Sequence, residues 1–167
     1  TEQEIAKTQS GGREFSTVRR KVSRRQRHLD DRRSSAMLYV GGRVPIHLAI
    51  QRYDTFDGRE WSHANAADKC PLLTMSQRGK KPWLRIIHPN SLASTDAVEK
   101  HAVKIINLKT NRVPAPPYLS ALHIDKVDRL DFYGWTSDSV IEMPVREQIP
   151  ELTVVHLESQ SVNLESL

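Results

Sequence analysis

The feature that most constrains the fold is a succession of short apolar runs, separated by stretches that contain glycine, proline or asparagine. Branched residues dominate these runs, and such side chains fit the pleated surface of a β-sheet. The predicted strands are residues 37–40, 46–50, 83–87, 102–106, 122–124 and 152–155. About seven to nine strands with such frequent turns predict a mainly β fold, either a β-sandwich or a distorted barrel. Inside this region only residues 91–100 are compatible with a short helix.

The positive charge of the chain is concentrated at its N-terminus. Residues 1–33 contain ten Lys and Arg against five Asp and Glu, whereas residues 34–167 contain fifteen of each, so the net charge of +5 belongs to the first segment. We therefore divide the chain into a basic N-terminal arm, residues 1–34, and a β domain, residues 35–167. The neutral β domain disfavours a nucleic-acid partner. The most basic part of the arm comprises Arg19, Arg20, Lys21, Arg24, Arg25 and Arg27.

Apolar residues within the arm predict its conformation. Phe15, Val18, Val22 and Leu29 recur at helical spacing, which allows one short amphipathic helix with a narrow apolar stripe. Its charged side is typical of a solvated helix, or of a juxtamembrane segment that touches anionic lipid. No apolar run approaches the roughly 18 to 20 residues of a membrane span. The start at Thr1 rather than Met is typical of a fragment of a longer polypeptide.

Residues able to carry chemistry occur outside the sequence contexts that known catalytic and metal sites use. Cys70 is the single cysteine, so an internal disulfide cannot form. Pro71 could begin a helix beside it, but no glycine or aromatic residue flanks the thiol. The seven histidines show no metal-ligand spacing, and no glycine-rich phosphate loop is present. We therefore predict no catalytic residue, no metal ligand and no cofactor.

The most distinctive local motif is an aromatic turn at residues 52–61, Arg-Tyr-Asp-Thr-Phe-Asp-Gly-Arg-Glu-Trp. An Asp-Gly pair predicts a tight turn, because glycine accepts positive φ and aspartate bonds its own backbone. Two interpretations of the crowded aromatic residues are compatible with each other. An aromatic plug that seals the core predicts that Trp61 is a core residue, whereas a docking patch predicts exposed rings. The motif residues are Tyr53, Asp54, Phe56, Asp57, Gly58 and Trp61.

This decapeptide resembles the region that precedes the papain-like catalytic core in bacterial membrane-anchored transglutaminase-like proteins. The upstream runs at residues 37–40 and 45–48, and the later run at 138–142, also fit the strands of that region. The resemblance implies a non-catalytic accessory β domain on the extracytoplasmic side of a membrane-anchored parent. Its partner would be the catalytic domain of the same polypeptide, a transferase or a peptidase. The Gly-x-Cys-x-x-Phe-type motif of that family is absent, so Cys70 receives no catalytic role.

Two other classes of function stay open at this point. One is a small cysteine hydrolase that pairs Cys70 with a histidine, which requires the two side chains within hydrogen-bond reach. The other is a basic-arm module that binds anionic lipid or nucleic acid. A continuous basic groove that includes residues after Ser35 would favour nucleic acid.

Overall fold

A computed structural model of the chain describes residues 13–15, 35–45, 47–63, 70–89 and 97–161. Within these ranges the chain forms short strands and one turn of 3-10 helix at Leu130–Phe132. The strands are β1 (Arg13–Phe15), β2 (Leu38–Gly42), β3 (Thr55–Phe56), β4 (Trp61–Ser62), β5 (Leu72–Arg78), β6 (Lys81–Ile87), β7 (Val98–Ile105), β8 (Leu119–Ile124), β9 (Gly134–Trp135), β10 (Ile141–Glu142) and β11 (Val154–Gln160). The prediction of a mainly β fold is confirmed.

Seven of these strands form one antiparallel sheet in the order β1-β2-β7-β11-β8-β6-β5. The pairs β3–β4 and β9–β10 form two small sheets of their own. In the described residues the main sheet does not close on itself, because β1 and β5 lie at opposite ends of the order. The architecture is therefore sandwich-like rather than a closed barrel.

The hydrophobic core lies on one face of the main sheet, called the core face here. Side chains alternate along each strand, so Leu84, Leu122, Leu157 and their neighbours at every second position all point to this face. These three leucines are at most 1% exposed, and each fully buried side chain of this kind contributes about 1.5–3 kcal/mol. The second layer comes from the long segment between β7 and β11, which supplies Val113, Ala115, Tyr133, Ile141, Met143 and Ile149.

The predicted N-terminal helix is wrong where the structure describes it. Arg13–Phe15 is a strand that pairs with Leu38–Val40 of β2, so the main sheet begins before residue 35. An edge strand leaves a row of unpaired backbone groups, and pairing with it outweighs a weak helical preference. The remaining part of the predicted helix lies outside the described residues.

Two further predictions about local structure need correction. Of the strand predicted at residues 46–50, the described residues 47–50 form a single bridge, between Ala49 and Ala115, since Ala115 is flanked by Pro114 and Pro116, which have no N–H to extend the pairing. The helix predicted at 91–100 is wrong at its end, because Val98–Lys100 belongs to β7. Residues 90–96 lie outside the described ranges. Strand β5 was not predicted, because its centre, Thr-Met-Ser-Gln, is mostly polar.

Candidate functional site

The Asp57–Gly58 turn forms as predicted, at the tip of the hairpin made by β3 and β4. The Asp57 Oδ1 atom accepts hydrogen bonds from the backbone N–H groups of Glu60 and Arg59, both at 2.8 Å. These two donors lower the pKa of the Asp57 carboxyl. Gly58 has φ of +97°, a conformation that side-chain-bearing residues adopt only with strain. The turn is therefore specified by neighbouring residues alone.

The aromatic residues of this hairpin are exposed. Phe56 and Trp61 face each other across the two strands, with ring centroids 5.0 Å apart. Tyr53 is 50% exposed, Phe56 53% and Trp61 61%. The prediction that Trp61 belongs to the core is wrong, because β3 and β4 pair only with each other and not with the main sheet. We call residues 53–63 the aromatic hairpin.

The N-terminal base of the aromatic hairpin is fixed to the body by a buried carboxylate. Asp138, whose side chain is 2% exposed, accepts a hydrogen bond from the backbone N–H of Arg52 at 3.2 Å. The guanidinium of Arg112 binds the same Asp138 oxygen at 2.7 Å and also donates to the Ile50 carbonyl. Burial raises the pKa of Asp138, but the Thr136 hydroxyl and these donors outweigh it and hold that pKa below its usual value.

The C-terminal base of the hairpin is tied to the same turn. The Nε2 atom of His63 lies 3.1 Å from the Ser137 hydroxyl, next to Asp138 in the chain. Both ends of the aromatic hairpin therefore contact residues 137–138, which hold it as a platform rather than a free loop.

Cys70 does not meet a histidine in the part of the chain that the structure describes. It is exposed, and its Sγ atom contacts the carbonyl oxygen of Pro71 at 3.8 Å. The two most buried histidines have other partners: His101 binds the Arg43 carbonyl and the Ser159 hydroxyl, and His123 is described below. Across the described ranges no group of His, Cys, Asp or Glu is arranged to hold a metal ion.

The face of the main sheet opposite the core, called the open face here, was not anticipated from the sequence. The register places its side chains on one surface: Arg78 of β5, Lys81, Trp83 and Arg85 of β6, His123 of β8, His156 and Glu158 of β11, and Lys100 and Lys104 of β7. The available signal was the period of two, since Lys81 and Arg85, like Lys100 and Lys104, are separated by an even number of residues. A zero net charge for residues 34–167 concealed this grouping.

Three rings cross the open face side by side. Trp83 lies 5.5 Å from His123, and His123 stacks on His156 at 5.7 Å. The two nitrogens of His123 face the Pro82 carbonyl at 2.6 Å and the Asp125 carboxylate at 2.9 Å. The hydrogen bond from His123 is the main reason that the pKa of Asp125 is lowered. Burial first, then the positive charges of Lys81 and His123, lower the pKa of His156.

One ion pair spans a large part of the open face. Arg78 lies on the edge strand β5, yet its Nη1 atom reaches Glu158 of β11 at 2.6 Å, past the two intervening strands. Neighbouring strands are about 4.8 Å apart, so a flat sheet would separate these strands by about 14 Å. Arg78 spans this distance by passing over the Trp83 ring at 4.8 Å.

The chain was compared with protein-family models, curated proteins and solved structures, and none of the three comparisons finds a match. No helix in the described ranges is long and apolar enough to span a bilayer. The basic residues of the arm, Arg19, Arg20, Lys21, Arg24, Arg25 and Arg27, lie outside the described residues. The aromatic hairpin and the open face are therefore the two candidate functional surfaces of the described residues.

Proposed function

We propose that this chain is a non-catalytic accessory β domain of a transglutaminase-like protein, and that the aromatic hairpin is its docking surface for the catalytic domain. The observation that supports the proposal is the exposure of Tyr53, Phe56 and Trp61 on a hairpin that contributes nothing to the core. Exposed aromatic residues of this kind are the typical anchors of protein interfaces.

The way the hairpin is held favours docking over an incidental exposure. A surface that is ordered before binding loses less conformational entropy when a partner docks. Contacts to Asp138 and Ser137 hold the two ends of the aromatic hairpin, and the Asp57 carboxylate orders its tip. The two aromatic rings are also packed against each other before any partner arrives. This is the arrangement expected of a preformed binding surface.

The resemblance to transglutaminase-like proteins supplies the partner. The residues that carry that resemblance, 52–61, are the same residues that the fold presents to solvent. In such a parent the domain would act as a spacer and docking surface beside a papain-like core, on the extracytoplasmic side of a membrane. The first observation to seek is a Gly-x-Cys motif in the coding sequence after residue 167, and its absence would remove the proposed partner.

Docking is tested with the separately produced catalytic domain of the same gene and calorimetric titration. Loss of one interface anchor costs about 2 kcal/mol or more, so Trp61→Ser should weaken binding by about 30-fold. Phe56→Ser should act in the same direction. The matched control is Val145→Ser, which changes a residue that is 73% exposed elsewhere on the surface. Equal losses from Trp61→Ser and Val145→Ser would refute the docking role.

The same proteins test the cysteine hydrolase alternative. If Cys70 is an ordinary surface thiol, Cys70→Ser leaves any activity of the parent unchanged. Alkylation at pH 6 is then slow, because a thiol with a pKa of about 8.5 is almost wholly protonated there. Rapid alkylation of Cys70 at pH 6, or loss of activity in Cys70→Ser, would favour the hydrolase.

A further inference from the structure

The open face gathers positive charge that the rest of the β domain balances. It carries five of the fifteen Lys and Arg of residues 34–167 but, on its strands, only one of the fifteen Asp and Glu. Within residues 34–167 the face therefore has a charge of +4 and the remainder −4; Glu14, which the register of β1 places on the same face, reduces the charge of the face to +3. Such segregation is the electrostatic footprint of a surface that binds a polyanion. The zero net charge of residues 34–167 therefore does not argue against a polyanionic partner.

Internal partners already occupy the carboxylates near these cations. Glu158 is 8% exposed and binds Arg78, while Asp125, at the end of β8, binds His123. Lys81, Arg85 and Lys100 are exposed, and no carboxylate in the described ranges lies within ion-pair distance of them. These three cations are consequently available to an external anion.

The spacing and shape of the face restrict the anion. Lys81 and Arg85 are four residues apart on β6, about 13 Å, and Arg85 is three strand spacings from Lys100, about 14 Å. A polymer with repeated charges can engage all three, which one small anion cannot. The same face offers the Arg78 guanidinium, which lies over the Trp83 ring, for stacking by an unpaired base, and lipid headgroups contain no ring that could stack there.

We propose that the open face binds single-stranded nucleic acid, with Lys81, Arg85 and Lys100 on the phosphates and the Arg78 guanidinium, stacked on Trp83, against an unpaired base. Basic grooves with aromatic rings bind single strands in this way, because every base offers a face for stacking. His123 is 1% exposed and lies beneath this surface, whereas the Arg78 guanidinium, whose side chain is 41% exposed, covers the Trp83 ring and is the plane that a base can reach. Burial is the main reason that the pKa of His156 is lowered, and the neighbouring positive charge of Lys81 adds to this effect. This role is independent of the aromatic hairpin.

The test uses the full chain and a fluorescently labelled 20-nucleotide oligothymidylate, with anisotropy measured between 50 and 200 mM NaCl. Each phosphate contact to a single strand changes log K by about 0.7 per decade of salt, so three contacts amount to about 20-fold over this range. The open-face variant, Lys81→Gln/Arg85→Gln/Lys100→Gln, should bind the oligothymidylate much more weakly and should lose that salt dependence. The control with the same charge change off the face is Lys109→Gln/Arg129→Gln/Arg146→Gln, which should bind as the parent does.

Two further measurements separate this site from its alternatives. Bound oligonucleotide should raise the pKa of His156 in an NMR titration, because a nearby anion favours the charged imidazolium. Arg24→Gln/Arg25→Gln/Arg27→Gln tests the N-terminal arm. The proposal is overturned if the arm variant loses binding and the open-face variant does not, or if the open-face variant and its control bind alike. Binding to phosphatidylserine vesicles but not to the oligonucleotide would also overturn it. Trp61→Ser should leave oligonucleotide affinity unchanged, which keeps this outcome separate from docking.

Discussion

Truncation of Trp61 to alanine tests the central structural claim, that the aromatic hairpin stands outside the core. Trp61 is 61% exposed, so less than half of its side chain is covered. A large aromatic residue buries about 150–250 Å² when fully covered, so the covered part here is about 60–100 Å². At about 25 cal/mol per Å² that area corresponds to about 1.5–2.5 kcal/mol, as an upper limit.

The effect on global stability should be smaller than this limit. The sheet formed by β3 and β4 is separate from the main sheet, so the hairpin can open without exposing the core. An isolated two-stranded hairpin is marginally stable, and a local opening caps what a mutation inside it can cost. We expect Trp61→Ala to lower the free energy of unfolding by about 1 kcal/mol or less.

Leu122→Ala is the comparison. Leu122 is 0% exposed at the centre of the main sheet, so the truncation should cost about 2–5 kcal/mol. Urea denaturation followed by far-UV circular dichroism measures both variants, since tryptophan fluorescence would itself change with Trp61. Faster hydrogen exchange at the Asp57 amide should accompany Trp61→Ala. If Trp61→Ala were as destabilising as Leu122→Ala, the hairpin would be part of the core and the reasoning would fail.

Three other perturbations have outcomes set by single features of the fold. Gly42→Ala should lower the free energy of unfolding in urea by about 1–3 kcal/mol, because φ is +82° and the added Cβ would lie 2.9 Å from the backbone oxygen of Lys100. The control is Gly41→Ala, whose added Cβ would make ordinary contacts at 3.9 Å. Equal losses of stability in the two variants would contradict the strain at Gly42. Arg112→Ala should lower the free energy of unfolding by about 3 kcal/mol, since it leaves the buried Asp138 carboxylate without its guanidinium partner. An unchanged free energy of unfolding would mean that this ion pair does not contribute to stability. Because the pKa of His156 is lowered below 6.5, the unfolded chain binds more protons near that pH, so the free energy of unfolding should fall as pH drops from 7 toward 5. His156→Gln should flatten this pH dependence. An unchanged slope in the variant would refute a contribution from His156.

Two features were predictable from the sequence because short-range forces specify them. The Asp57–Gly58 turn depends on glycine sterics and on a carboxylate that bonds its own backbone, both within four residues. The strand at residues 83–87 followed from its branched composition, and its observed bounds, Lys81–Ile87, differ by only two residues. The docking interpretation of the hairpin was also open from the sequence, although the pattern of its aromatic residues did not decide between a plug and a patch.

Only the tertiary structure decided which residues meet and which face is covered. The period of two assigns Lys81 and Lys100 to one side of their own strands, but the order β7-β11-β8-β6 is what brings those two sides onto one surface. Trp61 is exposed because, in the described ranges, its two-residue strand pairs with β3 and not with the main sheet, which its neighbours in sequence do not encode. Arg13–Phe15 is a strand because β2 offers it an edge. Side-chain alternation is a local property of the backbone, whereas burial and charge clustering depend on partners that lie tens of residues away in the chain.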